Sequence, residues 1–192
     1  MHIVTYPHPA LRHKSKPLRR VDAELRSIVR RMFELMYESR GIGLAANQVD
    51  LPLRMFIVNV AGEPEKGEEL VFINPVISRP KGSDEQDEGC LSFPELYAPV
   101  KRPKQVRVQA YNVDGQEIDA TINGLLARVV QHEFDHLDGV LFVDRVTPLA
   151  RVEIQEELDE FETDFRSRRT TAEIPGDEDI ANRLRQWEEK YC

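Results

Sequence analysis

Within these 192 residues the segment His132-Glu133-Phe134-Asp135-His136 constrains the fold most. On an α-helix two imidazoles four residues apart lie one turn apart on one face, so both can reach one ion, and that face must meet something other than water. The flanks agree. Asn123-Gly124 precedes an apolar-rich stretch from about Leu125 to Leu137, and Asp138-Gly139 supplies a stop. Leu125, Val129, His132 and His136 fall at i, i+4, i+7 and i+11, one face of that helix. The apolar part of the stripe can therefore line a pocket beside whatever the histidines hold.

What surrounds this helix is read from punctuation and periodicity. Asp22 is a plausible N-cap for a helix carrying Leu25, Ile28, Val29, Met32, Phe33 and Met36, ending near Arg40-Gly41. Gly41 to Gln48 reads as a loop, Met55 to Val60 as a short strand, and Leu70 to Ile77 as a second strand interrupted at Pro75. Residues 78–89 are polar and acidic and read as loop. Val106, Val108 and Ala110 alternate with polar residues, Asp114-Gly115 is a two-residue hairpin signal, and Ile118, Ala120 and Ile122 alternate on the return. Thr147-Pro148 opens a further helix with the stripe Ile154, Leu158, Phe161 and Phe165. Residues 170–179 look like a flexible linker before a short terminal helix around Leu184 and Trp187. Hydrophobic residues at 41% and charged residues at 31% suffice for one domain with a core. The expectation is an α+β fold with antiparallel sheets packed around a central metal-binding helix, with N-terminal and C-terminal helices. Residues 1–169 form the single domain, and 170–192 form a flexible extension with a short helix.

No apolar run approaches the ~18 residues that a membrane span needs. Met1 to Pro9 has neither a basic nor an apolar leader segment, and two cysteines, Cys90 and Cys192, make no disulfide framework. A reducing, cytoplasmic setting is expected. The net charge of −8 argues against an extended nucleic-acid surface, so no DNA and no membrane partner is expected.

A hydrolytic metal site usually has three protein ligands and an open position, so two histidines are not enough. His132 to Gly139 follows the extended H-E-x-x-H-x-x-G-x-x-H pattern of metzincin proteases, but Phe142 stands where the last histidine would. Glu156 or Glu160 could supply a third ligand from the last long helix, without a local motif. The other candidate is Cys90 in Glu88-Gly89-Cys90-Leu91-Ser92, whose thiolate would suit zinc or ferrous iron. Glu133 lies beside the ligands, placed to move protons. A third segment, Gly41-Ile42-Gly43-Leu44-Ala45-Ala46-Asn47-Gln48, allows close backbone approach and then offers an amide.

In that order, G-x-G-L-A-A-x-Q, E-G-C-L-S and H-E-x-x-H-L-x-G resemble the signature of the peptide deformylases. The resemblance extends from Tyr6-Pro7-x-Pro9-x-Leu11-Arg12 to about residue 165. It implies a metal-dependent hydrolase that removes the formyl group from N-formylmethionyl peptides of nascent proteins and releases formate. The alternative is a zincin-type metallopeptidase. The resemblance further implies Cys90, His132 and His136 as ligands, with Glu133 as general acid and base, and Gln48 with the Leu91 backbone N–H as oxyanion donors. Gly43 would contact the substrate backbone. Ile42, Glu88, Gly89, Tyr97, Leu125 and Val129 would complete substrate binding. Position 97 carries arginine in some relatives. Glu88 is implied to pair with Arg102; Arg128 receives no role. One divalent cation is implied, Fe2+ natively, with Ni2+, Co2+ or Zn2+ as replacements. The ribosome exit region is a weak partner expectation, because the last long helix carries seven acids between Glu153 and Asp164.

Overall fold

In the computed structural model, which describes residues 1–192, Asp22 accepts from the Leu25 N–H at 2.9 Å and starts helix α1, Ala23–Glu38. The helix closes on Arg40, which takes the left-handed conformation (φ 57°) while Gly41 N–H reaches back to the Met36 carbonyl at 2.8 Å. Gly41 therefore does not supply the helix stop. It is needed for space, since a Cβ there would come within 2.6 Å of Leu91 Cδ1.

Seven strands follow: β1 (Gly43–Ala45), β2 (Met55–Val58), β3 (Leu70–Lys81), β4 (Asp84–Cys90), β5 (Phe93–Arg102), β6 (Gln105–Tyr111) and β7 (Glu117–Asn123). They form a five-stranded antiparallel sheet in the order β1-β2-β3-β6-β7 and a separate β4-β5 hairpin. Helix α2, Gly124–Leu137, lies between the two sheets, and α3 (Pro148–Glu153), α4 (Gln155–Thr170) and α5 (Asp177–Tyr191) follow. This is the α+β architecture expected.

Strand β2 shows how the layers arise. Met55 and Ile57 face α1, in a core with Leu25, Met32, Met36 and Leu44. Phe56 and Val58 face the other way, packing with Val129, Val130 and Leu137 of α2. A strand buried on both faces must be apolar at every position, which is why it reads as an unbroken run. A further core joins Phe93, Leu96, Ala98 and Val100 of β5 to Leu11, Leu141, Phe142 and Leu158.

Several sequence expectations need correction. Gly41 to Gln48 is not all loop, because Gly43–Ala45 pairs with Phe56–Val58 as an edge strand and Ala46–Val49 is a 3-10 turn. Residues 78–89 are not loop either. Strand β3 continues to Lys81, and β4 pairs with β5 from Asp84 to Cys90. The one fully buried side chain in β4 is Glu88, so there is no apolar alternation to read. In the β6-β7 hairpin, Asn112 accepts twice through Oδ1, from the Asp114 and Gln116 N–H groups, and Gly115 takes φ 76°, giving a longer loop than two residues. The stripe from Ile154 to Phe165 is divided at Ile154 between α3 and α4.

The C-terminal segment, expected to be a flexible extension, packs against the rest of the chain. Helix α5 has 15 residues; Ile180 and Leu184 pack on Ala10 and Ile174, and Tyr191 enters the α1 core. Glu188 accepts from Lys16 Nζ at 2.6 Å and pairs with His13 Nε2 at 2.7 Å, and Tyr191 Oη donates to Asp22 at 3.0 Å. No helix is long and apolar enough to cross a membrane.

Candidate metal centre

Helix α2 brings the two histidine rings to a centroid separation of 5.1 Å, one turn apart. Strand β4 delivers Cys90 at its end, where the β4-β5 register shifts between Gly89 and Cys90 and turns the side chain toward α2. Cys90 Sγ lies 3.3 Å from His136 Nε2, and one ligand atom from each of Cys90, His132 and His136 falls within 4.8 Å of the others. Metal bonds of about 2.3 Å to sulfur and about 2.1 Å to nitrogen at a tetrahedral angle set S···N near roughly 3.6 Å. The donor set therefore fits a divalent transition metal, and it mixes soft sulfur with imidazole as zinc, iron, nickel or cobalt accept.

The surroundings orient these donors. Glu88 Oε2 lies 3.0 Å from His132 Nδ1, which fixes the proton on Nδ1 and leaves Nε2 for the site. Burial alone would raise the Glu88 pKa, but hydrogen bonds from His132 and Arg102 hold it down to about 2. Burial would lower His132, yet the Cys90 sulfur and the Glu88 carboxylate pull it up to about 10. His136 is driven well down by burial and by the charges of His132 and Arg102. Its carbonyl accepts from Asn47 Nδ2 at 2.5 Å, tying α2 to the turn after β1.

Glu133, one residue from His132, is buried and its Oε2 has no partner. Burial raises its pKa to about 7. Gly43 leaves the space it occupies: a Cβ there would stand 2.4 Å from Glu133 Oε1 and 2.8 Å from Val129 Cγ1. Gln48 is fixed through Oε1, which accepts from the Ala45 N–H at 2.8 Å, and its Nε2 points at Cys90 Sγ and Ser92 Oγ, both at 3.3 Å. The Leu91 N–H donates to no backbone carbonyl.

The residues named from sequence thus separate into groups. Cys90, His132, His136, Gln48 and Glu88 converge, with Glu133, Gly43 and Val129 beside them. Gly89 lies under Tyr97, where a Cβ would meet the ring at 2.5 Å, and the Tyr97 side is open to solvent at 67% exposure. Ile42 is half-buried against the α2 core. Leu125, at the start of α2, is 51% exposed and so is not ordinary core. Sequence reasoning missed Ser92, Asn47, Asp135 and Phe142, whose ring stacks 6.2 Å from His132. Asp135 stood within the H-E-x-x-H motif itself, and a carboxylate among the helix's buried positions was the available signal.

The family model for polypeptide deformylase matches residues 1–152. The chain belongs to the polypeptide deformylase family. It is 49% identical over 189 residues to a peptide deformylase of Rhodopirellula baltica, covering 98% of this chain and 94% of that protein. It is 45% identical over 166 residues to the chloroplastic/mitochondrial peptide deformylase 1B of Arabidopsis thaliana, covering 85% of this chain and 60% of that one. An Arabidopsis peptide deformylase 1B crystal structure with an inhibitor superposes with a TM-score of 0.84 at 43% identity, over 88% of this chain and 93% of that chain. The activity is accordingly that of a peptide deformylase, hydrolysis of a formamide bond at the N-terminus of formylmethionyl peptides. The zincin-type peptidase reading is set aside.

Proposed function

We propose that Cys90, His132 and His136 together hold one divalent cation, ferrous iron in the cell, and that Glu133 carries the protons of deformylation. The convergence of those three ligand atoms within 4.8 Å, beside a buried carboxylate with a free oxygen, carries this reading. Bound there, the cation supplies Lewis acidity to the carbonyl and to water. Glu133 accepts a proton from the attacking water through its unpartnered Oε2 and returns it to the leaving amine nitrogen. A carboxyl with a pKa of about 7 is suited to both transfers near neutral pH. Gln48 Nε2 and the Leu91 N–H donate to the oxygen as it gains negative charge, each contributing about 3–4 kcal/mol in comparable sites. Glu88 keeps the His132 ring in its Nδ1–H form throughout. The Gly43 backbone meets the peptide, Ile42 and Val129 line the methionine side, and Gly89, Tyr97 and Leu125 form the exposed margin.

The products are formate and a free α-amine. Formate release from formyl-Met-Ala-Ser, assayed beside casein cleavage, tests the reading. Formate without proteolysis is expected, and Cys90→Ala or Glu133→Ala should abolish it; full activity in either variant refutes the assigned roles. For the metal, anaerobically purified iron enzyme should lose activity in air while the nickel form keeps it, since thiolate and Fe(II) are both oxidisable. Equal air-stability of the two forms would count against iron. The acids of α4 oppose docking on ribosomal RNA through that helix.

A further inference from the structure

Arg128 lies on α2 one turn before His132, and its side chain is buried. A buried guanidinium is costly unless several of its five donors are satisfied, so its partners report what it is for. Nη1 donates to Glu88 Oε1 at 2.6 Å and to the Val100 carbonyl at 3.0 Å, and Nη2 donates to the Asp84 carbonyl at 3.0 Å. The two carbonyls belong to β5 and β4. One side chain of the helix that carries His132 and His136 is therefore fastened to both strands of the hairpin that carries Cys90.

Arg102 makes a different connection. It grips Glu88 through Nε at 2.6 Å and Nη2 at 2.8 Å, and its Nη1 reaches Asp135 on α2 at 2.8 Å. With His132 Nδ1 on Oε2, the Glu88 carboxylate takes four hydrogen bonds, as many as its lone pairs accommodate. Arg102 and Arg128 share Oε1, one reaching from the hairpin and one from the helix. Removing Arg102 also takes one of its two guanidinium partners from Asp135, leaving Arg145. Removing Arg128 frees one lone pair of Glu88 and cuts the backbone tie between α2 and β4-β5.

We propose that Arg128 is a positioning residue for metal binding: it sets the spacing between the Cys90 sulfur and the two histidines and restrains Glu88, which orients His132. It does not touch substrate. The proposal rests on the reading of Cys90, His132 and His136 as ligands. Loss of an outer partner of this kind typically weakens a metal site about 10–100-fold.

The test uses the full chain loaded with Co2+, comparing wild type, Arg128→Met and Arg128→Lys. Metal affinity is measured by chelator competition, the thiolate-to-cobalt and d–d absorption bands are recorded, and melting temperature is followed alongside. Arg128→Met is expected to bind Co2+ about 10-fold or more weakly, with shifted d–d bands. Arg128→Lys keeps the charge near Glu88 but cannot reach both carbonyls, so it is expected to fall between the two; it also stands as the deciding variant if Arg128→Met does not fold. A folded variant with lowered melting temperature but wild-type affinity and spectrum overturns the proposal, because a merely structural strut would behave that way. Absence of the thiolate band in wild type instead overturns the ligand reading, and this proposal with it.

Discussion

Replacing Gly43 by alanine tests the placement of the proton carrier without touching a ligand. The added methyl would stand 2.4 Å from Glu133 Oε1, 2.9 Å from its Cδ and 2.8 Å from Val129 Cγ1, where ordinary contact begins at 3.4 Å. The carboxyl oxygen must therefore retreat by about 1 Å, or β1 must shift against β2, to which Gly43 is paired opposite Val58. A displacement of about 1 Å at a reacting group costs on the order of 100-fold in rate, or about 2.7 kcal/mol of transition-state stabilisation. The stability cost of such local overpacking is smaller, about 1 kcal/mol, which lowers Tm by about 2–4 °C in a chain of this size. The methyl meets Glu133 and Val129 rather than a ligand, so metal content should hold. The assay is kcat/KM for formate release, with metal content and Tm measured on the same preparation. A Gly43→Ala enzyme within about threefold of wild type would show that Glu133 is not held by this contact, and the argument for its placement would fail.

Other expectations follow from single contacts. Gly139 takes φ 72°, and a Cβ there would stand 2.5 Å from the Arg12 carbonyl, so Gly139→Ala should cost about 3 kcal/mol and lower Tm by roughly 6–12 °C; a change below about 2 °C would contradict this. Tyr191→Ala empties a fully buried position in the α1 core and should cost about 3–5 kcal/mol, read as a shift in the urea midpoint with unchanged slope. An unshifted midpoint would mean that α5 is not part of the cooperative unit. Burial, followed by Arg183 and Arg169, lowers the His8 pKa from 6.5 to about 4. Between those values the unfolded chain binds a proton that the folded one refuses. Stability should therefore fall as pH drops through that window, by at most about 3 kcal/mol from this group. His8→Gln should lose less between pH 7 and pH 4.5 than wild type does, and identical losses would remove His8 from the account.

The metal-binding face was legible because its information is local. Four residues of spacing and a helical period are enough to put His132 and His136 together, and Glu133 follows from adjacency. The strands that bring Cys90 to them were not legible. Strand β4 buries one side chain, Glu88, and that one is charged, so its pattern resembles a solvated loop. Strand β5 carries Pro94 and Pro99, which a two-stranded sheet tolerates because each strand has an unpaired edge. Arg128 gave no local sign of its task, since its carbonyl partners lie 28 and 44 residues away along the chain. The packing of the C-terminal segment was not legible for a similar reason. Pro175-Gly176 and the acids around them suggest a linker, whereas Glu188 is answered by Lys16 and His13 from the opposite end of the sequence.

The burial of Tyr191 among α1, β1 and β2 makes this core depend on a contact between distant parts of the chain. Every other buried member of the largest apolar cluster lies between Leu18 and Ile73. Closing that cluster therefore carries the entropy of a long loop, and α5 acts as the stopper that seals it.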